Sequence, residues 1–375
     1  MPALNAGAME AAGLSVRDLV VGYDRQRVLE RTCLDMRAGE YACLLGRSGS
    51  GKSTLLGAVA GFVEPTAGRI AIGDQVVWDA AAGIRVPSQR RQLGMVFQEP
   101  MLWPHLSVLD NILFPLRSRK RPADASQAEE LLARVGLAGL GRRKPAALSG
   151  GQRQRVAICR ALVAAPSLVL LDEPLSAVDS LTREQVRDYL QRLFADSGTT
   201  ALHVTHDPAE AFALGRHVGV VDQGRLVQWG TPQELYRRPV SEVVAGLTGA
   251  YQAVDVPAEP LERGQARFWF DGREWTCPAH PQLRRGAARL LLRPESVRLS
   301  ERAGHWRQQR QRFEGGSFHV ELRNPRGERL HGRSARPPDD QAVSIELSAD
   351  DCWLLPPAAL APSGPAHSPD GGHDP

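Results

Sequence analysis

The spacing of apolar positions changes character twice along the chain. From Leu14 to Leu45 they come in short runs: Leu14-Ser15-Val16, Leu19-Val20-Val21, Leu34, then Tyr41-Ala42-Cys43-Leu44-Leu45. Such runs predict a β-rich start. Thr54-Leu55-Leu56-Gly57-Ala58-Val59-Ala60 predicts a helix. Residues 68–72 and 75–78 predict a hairpin around Gly73-Asp74, and residues 93–98 a short apolar strand ending in an amide. Residues 100–165 are mostly helical by period, with helices over 107–113, 128–135 and 153–164 and a break at Pro145. Ser167-Leu168-Val169-Leu170-Leu171-Asp172-Glu173 is almost wholly apolar until its two carboxylates. That pattern fits a central parallel strand covered on both faces. Residues 181–194 predict a helix and 200–205 a strand. Asp207, Pro208 and Glu210 supply the cap, first-turn proline and reciprocal acid of a further helix.

Beyond Arg238-Pro239-Val240 the pattern shortens. Residues 266–270, 288–292, 318–322 and 342–347 alternate with Gly/Pro punctuation and predict a small β-barrel. Residues 306–312 are polar and arginine-rich and do not read as a barrel strand. Residues 356–375, rich in Pro, Gly, Ala and Ser, are expected to be disordered, with His367 and His373 too sparse for a metal site. Residues 1–13 are small, apolar and expected to be flexible. They lack the basic region of a signal peptide.

The candidate chemistry sits at the ends of these elements. Gly46-Arg47-Ser48-Gly49-Ser50-Gly51-Lys52-Ser53 fits the G-x-x-x-x-G-K-[ST] pattern between a strand and a helix. Glycines let backbone N–H groups turn inward, and the helix start adds partial positive charge for phosphate. Only three lysines occur in the chain, and one of them occupies the lysine position. Lys52 is expected to reach the β- and γ-phosphates and the Ser53 hydroxyl to hold Mg²⁺. Gln98, following a strand, can coordinate Mg²⁺ or orient water. Asp172 and Glu173 fit an acid that holds Mg²⁺ through water and an acid that positions or deprotonates the attacking water. His206 ends a strand of the kind at whose carboxyl ends ligands gather in open α/β sheets, and it could sense or stabilise the γ-phosphate. Tyr23 is either an adenine-stacking ring or a surface tyrosine in a turn. Ser149 and Gln152 form a capping box that needs no ligand. Gly150 and Gly151 between them expose backbone N–H groups and make an anion site. With one nucleotide already held at Lys52, that second site suggests a nucleotide shared between two chains. Asp179 and Ser180 precede a helix, and a role as its cap alone would account for either.

Bulk composition narrows the field. At 375 residues the chain can hold two or three domains, and 42% hydrophobic with 23% charged residues fits an ordinary soluble protein. A net charge of +4 with no long basic block argues against nucleic-acid binding. No apolar run approaches the ~18 residues that cross a bilayer. Cys33, Cys43, Cys159, Cys277 and Cys352 lack metal-type spacing and read as reduced cytoplasmic thiols.

In this order, the motifs resemble the nucleotide-binding subunit of ATP-binding-cassette transporters over roughly residues 14–240. Residues 46–53, Gln98, residues 148–152, Asp172, Glu173, Asp179 and His206 carry the resemblance. It implies an α/β P-loop NTPase cassette over 14–240 with a helical subdomain at about 100–165. Leu292-Arg293-Pro294-Glu295-Ser296-Val297-Arg298-Leu299 is similar to the motif opening the accessory TOBE-type, OB-like barrel of importers for polyamines, ferric iron, sugars, sulfate and molybdate. That places a barrel at 241–355. The resemblance implies ATP and Mg²⁺ as cofactors, with Glu173, His206, Gln98 and Lys52 catalytic and Ser53, Gln98 and Asp172 at the metal. Tyr23, residues 46–54 including Thr54, Ser149, Gly150, Gly151, Gln152 and Asp179 would contact nucleotide. Two copies would sandwich two ATP molecules, each site joining one chain's residues 46–53 to the other's Ser149 and Gly151. The partners implied are a separate membrane permease and, indirectly, a periplasmic or extracellular solute-binding protein. The expected location is the inner face of the cell membrane. Residues 98–105 look most like those of iron- or polyamine-type importers. The competing class is a soluble regulatory or assembly ATPase without a permease.

Overall fold

The computed structural model describes residues 11–23, 26–176, 178–336 and 342–357. The expectations for residues 1–10 and 358–375 lie outside the described residues. The chain divides into two compact units, 1–232 and 233–375.

The first unit runs β1 (Leu14–Tyr23), β2 (Gln26–Met36), β3 (Tyr41–Leu45), α1 (Lys52–Ala60), β4 (Ala67–Ile72), β5 (Gln75–Asp79), β6 (Ile84–Arg85) and β7 (Leu93–Val96). It continues through α2 (Val108–Ser118), α3 (Ala125–Arg134), α4 (Gly150–Leu162), β8 (Leu168–Asp172), α5 (Ser180–Ser197), β9 (Thr200–Thr205), α6 (Pro208–Leu214), β10 (His217–Asp222) and β11 (Arg225–Gly230). One sheet has the order β11-β10-β3-β9-β8-β7 and the other β2-β1-β4-β5-β6. The first is parallel from β10 to β7, with β11 antiparallel at its edge, and β1, β2, β4, β5 and β6 are antiparallel throughout.

From Leu55 onward helix α1 is apolar on all sides, as a segment buried on all sides must be. Leu55, Leu56, Ala58 and Val59 share one core with Leu14, Val16, Ile70 and Val77 of the antiparallel sheet. The same core holds Ala42, Leu44, Leu168, Leu170, Leu202 and Val204 of the parallel sheet. The last carbonyls of α1 need partners. Buried Arg91 supplies them, Nη1 donating to Ala58 O at 2.7 Å and to Val59 O at 2.8 Å. Strand alternation turns Cys43, His203 and Thr205 to the opposite face from Ala42, Leu202 and Val204.

Helices α2, α3 and α4 pack on one another. Helix α4 starts at Gly150 rather than at the expected residue 153. Both capping-box bonds form, Gln152 N to Ser149 Oγ at 3.2 Å and Ser149 N to Gln152 Oε1 at 3.0 Å, and they make Ser149 the cap. The strand expected over 93–98 ends at Val96.

The second unit holds α7 (Pro232–Arg237), α8 (Glu242–Thr248), β12 (Gln252–Pro260), β13 (Gln265–Phe270), β14 (Arg273–Pro278), β15 (Gly286–Leu292), β16 (Val297–Phe313), β17 (Phe318–Arg323), β18 (Arg329–Ser334), β19 (Val343–Leu347) and β20 (Cys352–Leu355). Its sheets, β14-β13-β12-β15-β20 and β18-β17-β16-β19, close on one core around Phe268, Trp306, Leu290, Val320 and Leu322. This is the small all-β unit expected after the cassette. Arg293, 3% exposed, ties α7 and α8 to it. Its guanidinium donates to Tyr236 O, Ala245 O, Gly249 O and Ala250 O and lies 4.0 Å above the Tyr236 ring.

Residues 306–312 belong to β16, against the reading of that stretch as no strand. Arg307 to Phe313 pair with β17. Trp306 is wholly buried and Gln308 partly so, while Arg307, Arg310 and Arg312 face solvent. An indole and an amide take the core-side places, so no aliphatic alternation marks the strand.

Candidate active site at the carboxyl edge of the parallel sheet

Strand order decides what meets at this edge. Strand β9 lies between β3 and β8, with Leu45 opposite Thr205 and Asp172 opposite Val204. The residues following each strand are therefore neighbours.

After β3, residues 46–51 wrap the start of α1. Two glycines there admit no side chain. A Cβ on Gly46 would stand 2.3 Å from Val221 O, and one on Gly51 (φ +103°) 2.9 Å from Val28 O. Lys52 is 4% exposed, and its Nζ donates to Gly46 O and Arg47 O, each at 2.8 Å. Burial lowers its pKa, opposed by Glu173 and Asp172. Ser50 is buried, and its Oγ has no partner among the described residues. Arg47, Ser48, Gly49 and Ser53 are exposed, with Thr54 intermediate.

Ser53 Oγ donates to Asp172 Oδ1 at 2.9 Å. Burial raises the Asp172 pKa and Glu173 adds to this, while the Ser53 hydrogen bond and Lys52 oppose it. Glu173 has left-handed backbone (φ +44°), uncommon for a non-glycine residue, and its N–H donates to Val204 O at 2.9 Å. Its Oε2 lies 3.0 Å from His206 Nδ1. His206, 55% exposed, follows the last residue of β9. Lys52, Ser53, Asp172, Glu173 and His206 thus meet at one edge. Gln98, exposed, stands two residues beyond β7, the strand paired with β8.

The other expected nucleotide contacts lie on other elements. Tyr23 ends β1 in the antiparallel sheet. Ser149, Gly150, Gly151 and Gln152 start α4, where the hydroxyl of Ser149 and the amide of Gln152 bond to their own helix. Asp179 caps α5, accepting from Thr182 N at 3.0 Å. A Cβ on Gly151 would touch Val178 and Thr182, so the starts of α4 and α5 adjoin.

Some residues of this region carried no sequence signal. Arg160 of α4 donates to Met101 O at 2.7 Å and Pro100 O at 2.9 Å, and buried Asn111 of α2 bonds both the N–H and C=O of Trp103. They pin the loop that follows Gln98. A polar residue inside a helical apolar stripe was the only available hint, and Asn111 provides it.

The edge fits a phosphate chain with a hard divalent cation. It offers a buried ammonium, an unpartnered buried hydroxyl, and the oxygen pair of Ser53 and Asp172. Among the described residues, no group of three or more His, Cys, Asp or Glu is arranged to hold a metal alone. Mg²⁺ suits such a site, being bound through one or two carboxylates together with substrate phosphates.

A parallel sheet with a glycine loop, a buried lysine and paired acids at its carboxyl edge defines a P-loop ATPase. The profile of the ABC transporter family matches residues 29–176, and the chain belongs to that family, as one of its cassette ATPases. It is 42% identical, over 77% of each chain, to the sulfate/thiosulfate import ATP-binding protein CysA 2 of Rhizobium meliloti. It is 38% identical to the Fe(3+) ions import ATP-binding protein FbpC of Brucella abortus, over 79% of this chain and 83% of the relative. The cassette MJ0796, solved as a dimer in a post-hydrolysis state with ADP and Pi, superposes at TM-score 0.51 with 31% identity. That match covers 58% of this chain and 98% of the other.

Proposed function

We propose that the chain hydrolyses MgATP as one half of a homodimer and thereby drives a separate membrane permease that imports a small solute. The observation that carries this is the Glu173 carboxylate beside His206 and next to the Ser53–Asp172 pair, all at the edge where residues 46–53 lead from β3 into α1.

Lys52 and the start of α1 bind the β- and γ-phosphates. Mg²⁺, held by Ser53 and Asp172 with Gln98 nearby, would neutralise charge on those phosphates. Glu173 orients the attacking water and draws its proton, and His206 steadies the carboxylate and the charge developing on the γ-phosphate. Tyr23 stacks on adenine. Ser149, Gly150, Gly151, Gln152 and Asp179 of a second copy close over the phosphates. The dimer of the MJ0796 cassette supports this arrangement.

The permease reading rests on the loop that Arg160 and Asn111 hold. Met101 is 61% exposed and Trp103 44%. Phe62 and Phe97 stack at 6.2 Å, and Trp103 lies 5.7 Å from Phe114. No helix among the described residues is long and apolar enough to cross a membrane. We assign this apolar surface to a cytoplasmic segment of the permease. Two of the relatives are named as import proteins for sulfate and thiosulfate and for ferric ions, and we propose a small charged solute of that kind or a polyamine.

The test is Glu173→Gln. Retained ATP binding, dimers trapped by ATP in light scattering, and turnover reduced by about a thousandfold support the assignment. Wild-type turnover would remove Glu173 from its role. Co-purification of the native chain with a multi-span protein supports the permease, and a chain free in detergent favours the regulatory ATPase.

A further inference from the structure

Behind this edge, α6 buries an acid that the reaction above does not use. Glu210 is 4% exposed and Thr205 2%. Its sequence position is that of the reciprocal acid of a capping box, which would reach back to the Asp207 N–H. The structure differs. Asp207 N donates to Thr205 Oγ1 at 3.0 Å, and Thr205 Oγ1 donates to Glu210 Oε2 at 2.7 Å. The cap is made without Glu210, by Asp207 Oδ1 accepting from Ala209 N at 2.8 Å.

A hydroxyl has one proton. An ionised carboxylate only accepts, so Thr205 must turn that proton to Glu210 and present a lone pair to the Asp207 amide. Between these two anchored residues stands His206. The surroundings keep the arrangement specific: His203 Nε2, wholly buried, lies 3.8 Å from Glu210 Oε2, and Arg183 faces Asp207 at 3.7 Å. A small polar cleft runs past Glu173, His206, Asp207, Arg183 and Glu210. Burial raises the Glu210 pKa against the Thr205 hydrogen bond, a cost that helix capping alone would not require.

We propose that Glu210 is a positioning residue for ATP hydrolysis, fixing through the Thr205 hydroxyl the backbone that aims His206 at Glu173. This rests on the assignment of Glu173 and His206 given above.

Steady-state kinetics of the full-length protein test it. Thr205→Val, which keeps shape and removes the hydroxyl, and Glu210→Ala are each expected to lower kcat about 10- to 100-fold. KM for ATP should stay within about twofold, since only the hydrolytic group is misaimed. The double variant is expected to fall no further than the worse single one, because both act along one path. Thr205→Ser and Glu210→Gln, which keep the hydroxyl and an accepting oxygen, are expected within about threefold of wild type. Unchanged kcat in Thr205→Val and Glu210→Ala, multiplying losses in the double variant, or loss expressed in KM overturns the proposal. Glu173→Gln and His206→Ala separate the two levels. If both turn over normally, the site assignment fails. If both are inactive while Thr205→Val is normal, only the role of Glu210 fails.

Discussion

Asp172 is an acid that burial pushes toward its protonated form and that the proposed reaction would need charged. With its folded pKa raised, the fold favours the neutral carboxyl. That contribution to stability is complete below the unfolded value of about 3.9 and is lost as pH rises through the raised folded value. Asp172→Asn keeps a neutral side chain at every pH, and its amide oxygen can still accept from Ser53. Without nucleotide, this variant is expected to melt higher than wild type at pH 7, with the difference vanishing below about pH 4. Its Mg²⁺-dependent turnover should be lost. Calorimetry across pH checks the first part, and equal midpoints at pH 7 would contradict it. Lys52, Ser53, Asp172, Glu173 and His206 were legible in the sequence because each combines a reactive side chain with an element end. The arrangement of Glu210 was not, because the pattern around Asp207 fits a simpler capping motif equally well. Only the direction of one hydroxyl separates the two.

At the scale of elements, the proposed function gives the start of α4 two roles in one residue. Ser149 caps the helix, and it is assigned to a nucleotide on the partner copy. Ser149→Ala should cost about 1 kcal/mol of stability through the lost cap. Ser149→Asp keeps a capping oxygen, so the thermal midpoint should hold. It also sets a negative charge toward phosphate, so turnover should fall at least about tenfold. Normal turnover in Ser149→Asp would leave Ser149 as a cap alone. Most elements of the first unit followed from period and punctuation, because long apolar strands and capped helices leave strong marks. In the second unit β12 carries Pro257 and Pro260, and β16 buries Trp306 and half-buries Gln308 among exposed arginines. Both strands are held by their pairing partners, which a local pattern does not reveal.

For the whole molecule, the apolar residues that remain outside matter most. Exposed large aromatics close together mark a contact surface more often than a free one. Trp103→Asp should keep the thermal midpoint, since the side chain is already half exposed, yet lower recovery of the permease complex from membranes at least about tenfold. Undiminished recovery would move the docking surface elsewhere.

Helix α1, enclosed between two sheets, has a consequence for binding thermodynamics. The amides proposed to meet phosphate belong to a segment whose far end is fixed by Arg91 and whose residues from Leu55 to Ala60 are buried. Their ordering was completed on folding, so little configurational freedom remains to be lost when nucleotide arrives. The α1 amides should therefore resist hydrogen–deuterium exchange equally with and without nucleotide. Any new protection on binding should fall on the exposed Gln98 loop and the start of α4, which makes closure of the dimer, not capture of phosphate, the step that carries the entropy.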